Sequence, residues 1–450
     1  MWRFLLVLSS AVCINCKIVP ITNHVPMQPE QVHIAYGDSV YEIVATWSTV
    51  GDTKESIVEY GTGFQSLNYT AAGSSRLFTD GGRKGRSQYV HSVTLKNLRP
   101  STVYGKRNEI ARLLFTFFQT VYHVGSRFGW SNEFLFRTPP VVERWQPSLA
   151  IFGDMGLENA QSLARLEEDT HRGMYDAILH VGDFAYDMNS HNGVVGDKFM
   201  KLIEPIAAYV PYMTCVGNHE ERYNFSHYKM RFNMPGDTEN LMFSFNMGPL
   251  HIISISTEVY YFLNYGIKSL VFQYEWLEND LREATDPKNR RERPWIIVMG
   301  HRPMYCSNTD PADCAHNSTF TRVGIPFFHM FGLEKLFYDN KVDVLIWAHQ
   351  HSYERLWPIY DFKIFNGTYD QPYLNPLAPV HIITGSAGCK ENHSHFDNDK
   401  PYWSAFRSTD YGYTRMKAYN KTHLYFEQVS DDQGGAVIDS FWIIQNKRTF

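Results

Sequence analysis

Two kinds of hydrophobic pattern divide the chain. Between about residues 26 and 139, short segments such as "EIVATWSTV" and "QYVHSVTLKNL" alternate apolar and polar residues, with Gly, Asp and Pro between them. Alternation with a period of two predicts half-buried strands. We therefore expect an all-β antiparallel sandwich over residues 26–139.

Two stretches of this region, "NLRPSTVY" and later "FRTPP", resemble a fibronectin type III-like module, in which a tyrosine packs at a strand corner. One segment, "GKRNEIARLLFTFFQT" at residues 105–120, breaks the strand rhythm. A lineage-specific loop, a short amphipathic helix and a translated retained intron all remain open for it, and we favour the last two equally.

A second pattern begins after the proline-bracketed stretch 138–147. Apolar strand-length runs alternate with helix-length segments such as "ENAQSLARLEEDTHRGM" and "FQYEWLENDLREATD". This alternation predicts an α/β domain with a largely buried sheet. We expect that domain to span residues 148–446.

Five apolar runs of this second domain end in residues that can bind a metal ion. The runs and their polar residues are "LAIFGDMG" with Asp154, "AILHVGDFAYD" with Asp183 and Tyr186, "YMTCVGNHE" with Asn218 and His219, "WIIVMGH" with His301, and "VLIWAHQH" with His349 and His351. The carboxyl ends of neighbouring strands in an open α/β sheet converge on one crevice. Groups nearly 200 residues apart in the sequence can therefore meet there.

Local sequence supports this convergence. Glycines stand before Asp154, Asp183, Asn218 and His301, and we expect each to permit a tight turn. Along extended chain, His349 and His351 would point to the same side, as two ligands of two metals about 3.5–4 Å apart would need.

The donors are two Asp, one Tyr, one Asn and three His, seven in all. If one Asp bridges, each of two metals receives four protein ligands. A mixed oxygen and nitrogen set without thiolate suits iron, manganese or zinc and disfavours copper(I).

The order of the motifs GDMG, GDFAY, GNHE, VMGH and AHQH resembles the calcineurin-like metallophosphoesterases, and specifically the long animal form of the purple acid phosphatases. This resemblance covers nearly the whole mature chain and implies an α/β/β/α catalytic sandwich. Gly156 stands where many relatives have a ligand histidine, and Tyr186 supplies the missing donor. Ala348 stands where the family has Gly, and we expect little effect from its methyl group.

The resemblance also implies the metals. Fe(III) would be held at the first site by Asp154, Asp183, Tyr186 and His351, since a phenolate favours Fe(III). Zn, Mn or Fe(II) would be held at the second site by Asp183, Asn218, His301 and His349.

The implied activity is that of an acid phosphatase, in which a metal-bound hydroxide attacks a phosphate monoester. His219 would bind phosphate and act as general acid, while His316 is a weaker candidate for a substrate contact. A nucleotide or phosphodiester hydrolase of the same superfamily, and a secreted binding protein with a vestigial metal site, remain alternatives.

We expect other titratable residues to have structural roles. We expect His180 to be a hydrogen-bonded core histidine and Arg355 to form a structural ion pair. We expect His393 and His395 to be surface residues. Glu220 could either orient His219 or cap a turn.

The N-terminus "MWRFLLVLSSAVCINC" has the pattern of a cleaved secretory signal, which we assign to residues 1–18. Six Asn-X-Ser/Thr sequons support the secretory route, whether to the lysosome or the exterior; they begin at Asn68, Asn224, Asn317, Asn366, Asn392 and Asn420. No later stretch reaches the ~18 apolar residues of a membrane span. We therefore expect no membrane partner, and the sequence leaves open whether the protein forms a homodimer.

Charge and cysteines refine this picture. The formal charge is −5, and the one basic cluster, "GGRKGR" at 81–86, is typical of a solvated turn, so we expect no nucleic-acid partner. Of the four cysteines left after the signal, Cys306 and Cys314 are spaced for a local disulfide, and Cys215 is typical of a buried thiol.

Overall fold

A computed structural model describes residues 26–62, 67–100, 119–141, 145–309, 314, 319–325 and 330–447. The predicted signal 1–18, Tyr104 of the tyrosine-corner analogy and His316 lie outside the described residues, as does all of segment 105–120 except its last two residues. Among the described residues, no helix is long and apolar enough to cross a bilayer.

The N-terminal region folds into two antiparallel sheets, because its strands alternate buried and partly exposed positions. Its strands are β1 (Glu30–Tyr36), β2 (Ile43–Thr49), β3 (Ile57–Thr62), β4 (Tyr69–Ala72), β5 (Ser74–Thr79), β6 (Ser87–Leu95), β7 (Gln119–Ser126), β8 (Gly129–Trp130) and β9 (Phe134–Arg137). One sheet has the order β1-β2-β6-β5, and the other has β4-β3-β7-β8 with β9 also paired to β7. The predicted β-sandwich is confirmed.

The second region contains two larger sheets and two small hairpins. Its strands are β10 (Ser148–Phe152), β11 (Ala177–Val181), β12 (Tyr212–Cys215), β13 (Phe243–Met247), β14 (Leu250–Ser254), β15 (Trp295–Met299), β16 (Gly324–Ile325), β17 (Met330–Phe331), β18 (Val344–Trp347), β19 (Tyr353–Leu356), β20 (Ile359–Tyr360), β21 (Lys363–Ile364), β22 (Val380–Thr384), β23 (Ser404–Ser408), β24 (Gly412–Asn420), β25 (His423–Ser430) and β26 (Ala436–Ile444). The sheets have the orders β12-β11-β10-β24-β25-β26 and β13-β14-β15-β18-β22-β19-β23. The hairpins are β16-β17 and β20-β21.

Helices connect these strands. They are α1 (Leu163–His171), α2 (Val194–Ala207), α3 (Arg222–Arg231), α4 (Lys268–Thr285), α5 (Pro287–Glu292), α6 (Phe320–Val323) and α7 (Leu333–Asp339), with single 3₁₀ turns at Asn218–Glu220, Glu258–Tyr260 and Leu263–Tyr265. The two helix-length segments quoted above correspond to α1, which takes up only the middle of residues 158–174, and to α4, which takes up nearly all of residues 272–286.

Burial shows how the layers stack. Ile297 of β15 belongs to the same apolar core as Ile151 of β10 and Ile203 of α2, so the two large sheets face each other. Its strand neighbour Val298 points the other way and packs with Leu277 of α4. The layers are therefore helix, sheet, sheet, helix, which confirms the predicted α/β fold. The five motif-bearing strands, however, are divided between two sheets, whereas the open-sheet argument placed them in one.

The sandwich packs against the second region beside α2. The Val32 N–H donates to Glu204 Oε2 at 2.7 Å, and Tyr122 Oη donates to the Ala208 carbonyl at 2.7 Å. Apolar side chains of the two regions belong to one core across this contact. The two regions are thus joined by buried apolar surface.

The cysteine predictions are confirmed. Cys306 and Cys314 form a disulfide, and Cys215 is a buried free thiol. Cys389 is the other buried free thiol of the described residues.

Candidate metal centre

Six of the seven predicted ligands lie just after the end of a strand, and Tyr186 follows Asp183 in the loop after β11. Asp154 follows β10, Asp183 follows β11, Asn218 opens the 3₁₀ turn after β12, and His301 follows β15; His349 and His351 follow β18. β10, β11 and β12 are parallel neighbours in one sheet, and β15 and β18 are parallel neighbours in the other. The carboxyl ends of both sets face one crevice between the two sheets.

The backbone of the ligands themselves makes the sharp turns. Four of them have positive φ, a region that non-glycine residues rarely adopt: Asp154 (57°), Asp183 (51°), Tyr186 (51°) and His349 (68°). Such outliers concentrate at functional sites, where the surrounding fold holds them. Here four of the seven predicted donors stand on such residues.

The expectation that the preceding glycines provide these turns is therefore wrong at most positions, since only Gly182 has a positive φ, 83°. The other glycines are needed for space. A Cβ on Gly217 would lie 2.2 Å from Asp183 Oδ1, and a Cβ on Gly153 would lie 2.4 Å from the Cβ of Ala348. Small residues let the two strand ends approach each other closely.

The argument that His349 and His351 share one side of extended chain is also wrong. Strand β18 stops at Trp347, and the chain bends at His349. The two imidazoles reach the crevice from this bend, so the predicted convergence holds for a different local reason.

One group of donors surrounds Tyr186. Its hydroxyl lies 2.7 Å from His351 Nε2 and 3.1 Å from Asp154 Oδ1, and His351 Nε2 lies 3.6 Å from Asp154 Oδ1. These are three of the four ligands predicted for the first metal.

A second group surrounds His301. Its Nε2 lies 3.0 Å from Asp183 Oδ2, 3.1 Å from Asn218 Oδ1 and 3.2 Å from His349 Nδ1. One donor atom each from Asp183, His301 and His349 lies within 4.8 Å of the others. The second predicted ligand set is thus assembled, with Asp183 inside it; that Asp183 bridges to the first set stays a prediction.

Backbone carbonyls orient two of the imidazoles. His301 Nδ1 lies 2.9 Å from the Val181 carbonyl, and His351 Nδ1 lies 2.8 Å from the Asn392 carbonyl. A ring that donates from Nδ1 keeps the Nε2 lone pair free, which is how metal-binding histidines are held. In both rings the free Nε2 faces the carboxylates.

The buried carboxylates of the centre carry negative charge that favours bound cations. Asp154 and Asp183 are 0% and 1% exposed, and buried carboxylates are normally paired or bound to metals. Burial acts to lower the pKa of His301, but the Asp183 carboxylate outweighs it and raises this pKa to about 10. Burial likewise raises the pKa of Asp154, to about 6, even though His301 opposes the shift. The donor set therefore fits two metal cations.

Glu220 fixes the loops that carry the ligands. Its carboxylate accepts from the N–H groups of Asp183 and Phe184 at 3.0 Å each, and from Gly217 at 3.0 Å. Burial, reinforced by Asp183, raises the Glu220 pKa to about 8. Of the two alternatives for Glu220, the structure favours turn capping.

His219 lies at the edge of the centre, with Nδ1 2.8 Å from Asp187 Oδ1 and Nε2 3.6 Å from Glu391 Oε1. Burial acts to lower its pKa, but Asp183 and the Asp187 bond outweigh burial and raise it to about 9. Neither Asp187 nor Glu391 was predicted from the sequence. Asp187 directly follows Tyr186 in the GDFAY motif, which is the one signal that could have found it.

A third missed residue is Arg302. Its Nε lies 2.9 Å from Glu258 Oε2, and its Nη1 lies 3.1 Å from His349 Nε2. Glu258 is fully buried, so this ion pair anchors an arginine against one of the predicted metal ligands.

The remaining predicted residues have the following positions. His180 is buried, with Nδ1 2.7 Å from Tyr212 Oη, which confirms a core role. Arg355 forms a two-pronged ion pair with Asp439, at 2.7 and 2.9 Å, also as predicted. His395 is exposed, whereas His393 is partly buried against the ring of Tyr411.

Comparison with known proteins agrees with this geometry. Three family models match: the purple acid phosphatase N-terminal domain at residues 29–107, the calcineurin-like phosphoesterase at 147–353, and the iron/zinc purple acid phosphatase-like C-terminal model at 378–440. The chain is 53% identical to acid phosphatase type 7 of Danio rerio, over 97% of this chain and 95% of that protein. It is 50% identical to acid phosphatase type 7 of Homo sapiens, over 93% and 91% of the two chains.

A solved structure shares the fold. Purple acid phosphatase PPD1 from yellow lupin seeds superposes with a TM-score of 0.76 at 24% identity, covering 94% of this chain and 75% of that chain. The predicted fold class and the predicted resemblance are both confirmed. The chain belongs to the purple acid phosphatase family of calcineurin-like phosphoesterases.

Proposed function

We propose that this acid phosphatase hydrolyses phosphate monoesters at a centre of two metal ions. The first would be held by Asp154, Asp183, Tyr186 and His351. The second would be held by Asp183, Asn218, His301 and His349. The strongest support is the meeting of these seven donors, two of them buried carboxylates, at adjoining ends of two sheets.

The donors suggest which metals bind. A tyrosine phenolate is a hard anionic ligand, so we assign Fe(III) to the first position and Zn, Mn or Fe(II) to the second. When bound, the two ions would activate water and offset the negative charge of the transferring phosphoryl group.

The residues around the metals would bind substrate and supply a proton. Burial acts to lower the pKa of His219, but Asp183 and the hydrogen bond between its Nδ1 and Asp187 outweigh burial and raise this pKa to about 9. The protonated ring would attract the phosphate and give its Nε2 proton to the departing alkoxide. Asp187 orients the ring for that transfer.

Turnover and metal content of one purified sample test this function. We expect two metals per chain and faster hydrolysis of p-nitrophenyl phosphate than of bis(p-nitrophenyl) phosphate. Faster diester hydrolysis would instead indicate a phosphodiesterase. No hydrolysis of either ester by metal-replete protein would indicate a binding protein with a vestigial site.

A colour measurement tests the iron assignment separately. A phenolate ligand to Fe(III) gives a visible charge-transfer band, so wild-type protein should absorb visible light and Tyr186→Phe should not. Tyr89→Phe is the control and should keep the band, since Tyr89 is a partly exposed residue of strand β6 in the N-terminal sandwich and is not one of the predicted ligands. A colourless wild type fully loaded with zinc would overturn the iron assignment.

We further propose that the protein follows the secretory route, to the lysosome or the exterior. The N-terminal pattern and the six sequons support this. Expression in animal cells with a C-terminal tag would test it: the protein should resist protease in sealed microsomes, and a start later than residue 18 would agree with signal cleavage. Protease-sensitive protein with an intact N-terminus would contradict it.

A further inference from the structure

The segment Lys390–Ser394 lies against the proposed metal centre. The Lys390 ammonium donates to the Tyr186 carbonyl at 3.2 Å, and Glu391 Oε1 lies 3.6 Å from His219 Nε2. Further along, Asn392 and Ser394 contact His351. We call residues 390–394 the rim segment.

The sequon Asn392-His393-Ser394 occupies the end of the rim segment. The Asn392 carbonyl accepts from His351 Nδ1 at 2.8 Å, Ser394 Oγ accepts from the His351 N–H at 2.9 Å, and the Ser394 N–H donates to the His351 carbonyl at 3.1 Å. Three hydrogen bonds thus connect two sequon residues to one proposed iron ligand.

The Asn392 side chain itself is exposed, while its backbone is bonded to His351. Its φ of 65° lies in the left-handed region, where asparagine is several-fold enriched. A group attached to the side-chain amide would therefore extend into solvent without displacing the hydrogen bonds that orient the ligand.

We propose that Asn392 carries an N-linked glycan that stands at the mouth of the metal centre and restricts the enzyme to small or extended phosphate esters. This inference rests on the proposed function and on passage through the secretory pathway. The glycan leaves the chain one residue after Glu391, whose carboxylate is within 3.6 Å of the proposed general acid. A branched sugar at that point takes up space that a folded phosphoprotein would need in order to present a phosphoserine.

The modification is a group transfer from a lipid-diphosphate-linked oligosaccharide. Asn392 Nδ2 forms a bond to the anomeric carbon, and the bond from that carbon to the diphosphate oxygen breaks. The amide gives up one proton, which the released lipid diphosphate takes up. No atom changes its oxidation state, and the transfer occurs before folding, when the Ser394 hydroxyl is still free.

Peptide mapping of protein secreted by animal cells tests occupancy. Amidase release of glycans in heavy-oxygen water should convert residue 392 to labelled aspartate. A glycosylated protein that carries sugars at other sequons but none at Asn392 would overturn the proposal.

Kinetics test the consequence. The measured quantity is the ratio of kcat/KM for a phosphoserine-containing protein to kcat/KM for p-nitrophenyl phosphate. Asn392→Gly and Asn392→Asp both accept positive φ and remove the sequon, and we expect each to raise this ratio several-fold with metal content unchanged. An unchanged ratio in Asn392→Gly would overturn the proposal.

Two control variants separate the glycan from other effects. Ser394→Thr keeps both the sequon and a hydroxyl, so its ratio should equal that of the wild type. Asn420→Asp removes a sequon in the turn between β24 and β25 and should also leave the ratio unchanged. Wild-type protein without activity on p-nitrophenyl phosphate would contradict the proposed function, whereas a missing glycan on active enzyme would contradict only this inference.

Discussion

Buried histidines occur in two regions of this molecule, and their surroundings give them opposite properties. In the sandwich, His91 is fully buried between two hydroxyls, Thr49 Oγ1 and Ser56 Oγ, each 2.8 Å from a ring nitrogen. Burial lowers its pKa to about 4. In the metal centre, His301 is equally buried, but Asp183 raises its pKa to about 10.

The difference shows what distinguishes a structural histidine from a candidate ligand. Neutral hydroxyls satisfy one donor and one acceptor of the imidazole, so the ring stays uncharged and needs nothing else. Buried carboxylates leave negative charge that some cation must balance, whether a proton or a metal. Burial and hydrogen bonding alone therefore do not indicate a metal site, whereas burial within a cluster of carboxylate and imidazole donors does.

The largest expected loss of activity follows from replacing a histidine that is a candidate metal ligand. His301→Gln should lose the second metal and lower kcat/KM by about a thousandfold or more, since metal stabilisation of the transition state is worth several kcal/mol and each 1.36 kcal/mol is tenfold. The matched control is His180→Gln, a buried histidine whose pKa burial lowers to about 3. His180→Gln should lower stability yet keep both metals, as measured by elemental analysis. Equal metal loss in both variants would contradict the distinction between structural histidines and metal ligands.

A smaller loss of activity is expected when His219, at the edge of the centre, is replaced. His219→Asn should lower kcat for p-nitrophenyl phosphate by about a hundredfold to ten-thousandfold, the usual contribution of a general acid. Metal content should be unchanged. Because the acid acts on the leaving group, the loss should shrink with esters of more acidic alcohols, and a loss independent of the leaving group would contradict that role.

The sandwich histidines predict a pH effect on stability. In the folded protein burial lowers the pKa of His33 and of His91 to about 4, against 6.5 in an unfolded chain. Below pH 6.5 the unfolded state binds more protons, so stability should fall as the pH drops from 6.5 to about 4. Each histidine contributes at most about 1.4 kcal/mol per pH unit.

Urea unfolding over this pH range measures the effect. His91→Gln should flatten the pH dependence although it lowers stability at neutral pH, since it removes one of the histidines whose protonation the fold opposes. His395→Gln alters an exposed side chain and should leave the slope unchanged. An equal slope in wild type and His91→Gln would show that burial does not keep this ring neutral.

The sequence predicted the donors of the centre because strand ends are readable. An apolar run followed by Asp, Asn or His marks where a buried strand reaches the edge of a sheet, and parallel strands bring such ends together. The strand-end pattern predicted that Asp154, Asp183, Asn218 and His301 would lie together, without any knowledge of which sheet each strand joins.

The parts that the sequence did not reveal depend on loops. Asp187 contacts His219 only because positive φ at Tyr186 turns the chain back. The Asn392 carbonyl contacts His351 from 41 residues away, and a backbone carbonyl has no sequence signature. The division of the strands between two sheets likewise follows from packing that periodicity does not encode.

The smallest expected effect concerns Ala348, where the family pattern has glycine. Ala348→Gly removes one buried methyl group and loosens the backbone, which should cost about 1–2 kcal/mol of stability. Neither metal content nor kcat/KM should change appreciably, because Ala348 supplies no donor.

Gly153→Ala should lower stability more than Ala348→Gly, since its Cβ would lie 2.4 Å from that of Ala348 and 2.9 Å from the Val181 carbonyl. Adding Ala348→Gly to Gly153→Ala should recover only part of the melting temperature, because the carbonyl contact remains; full recovery would show that the two methyl groups alone set the spacing of the strand ends that hold the centre.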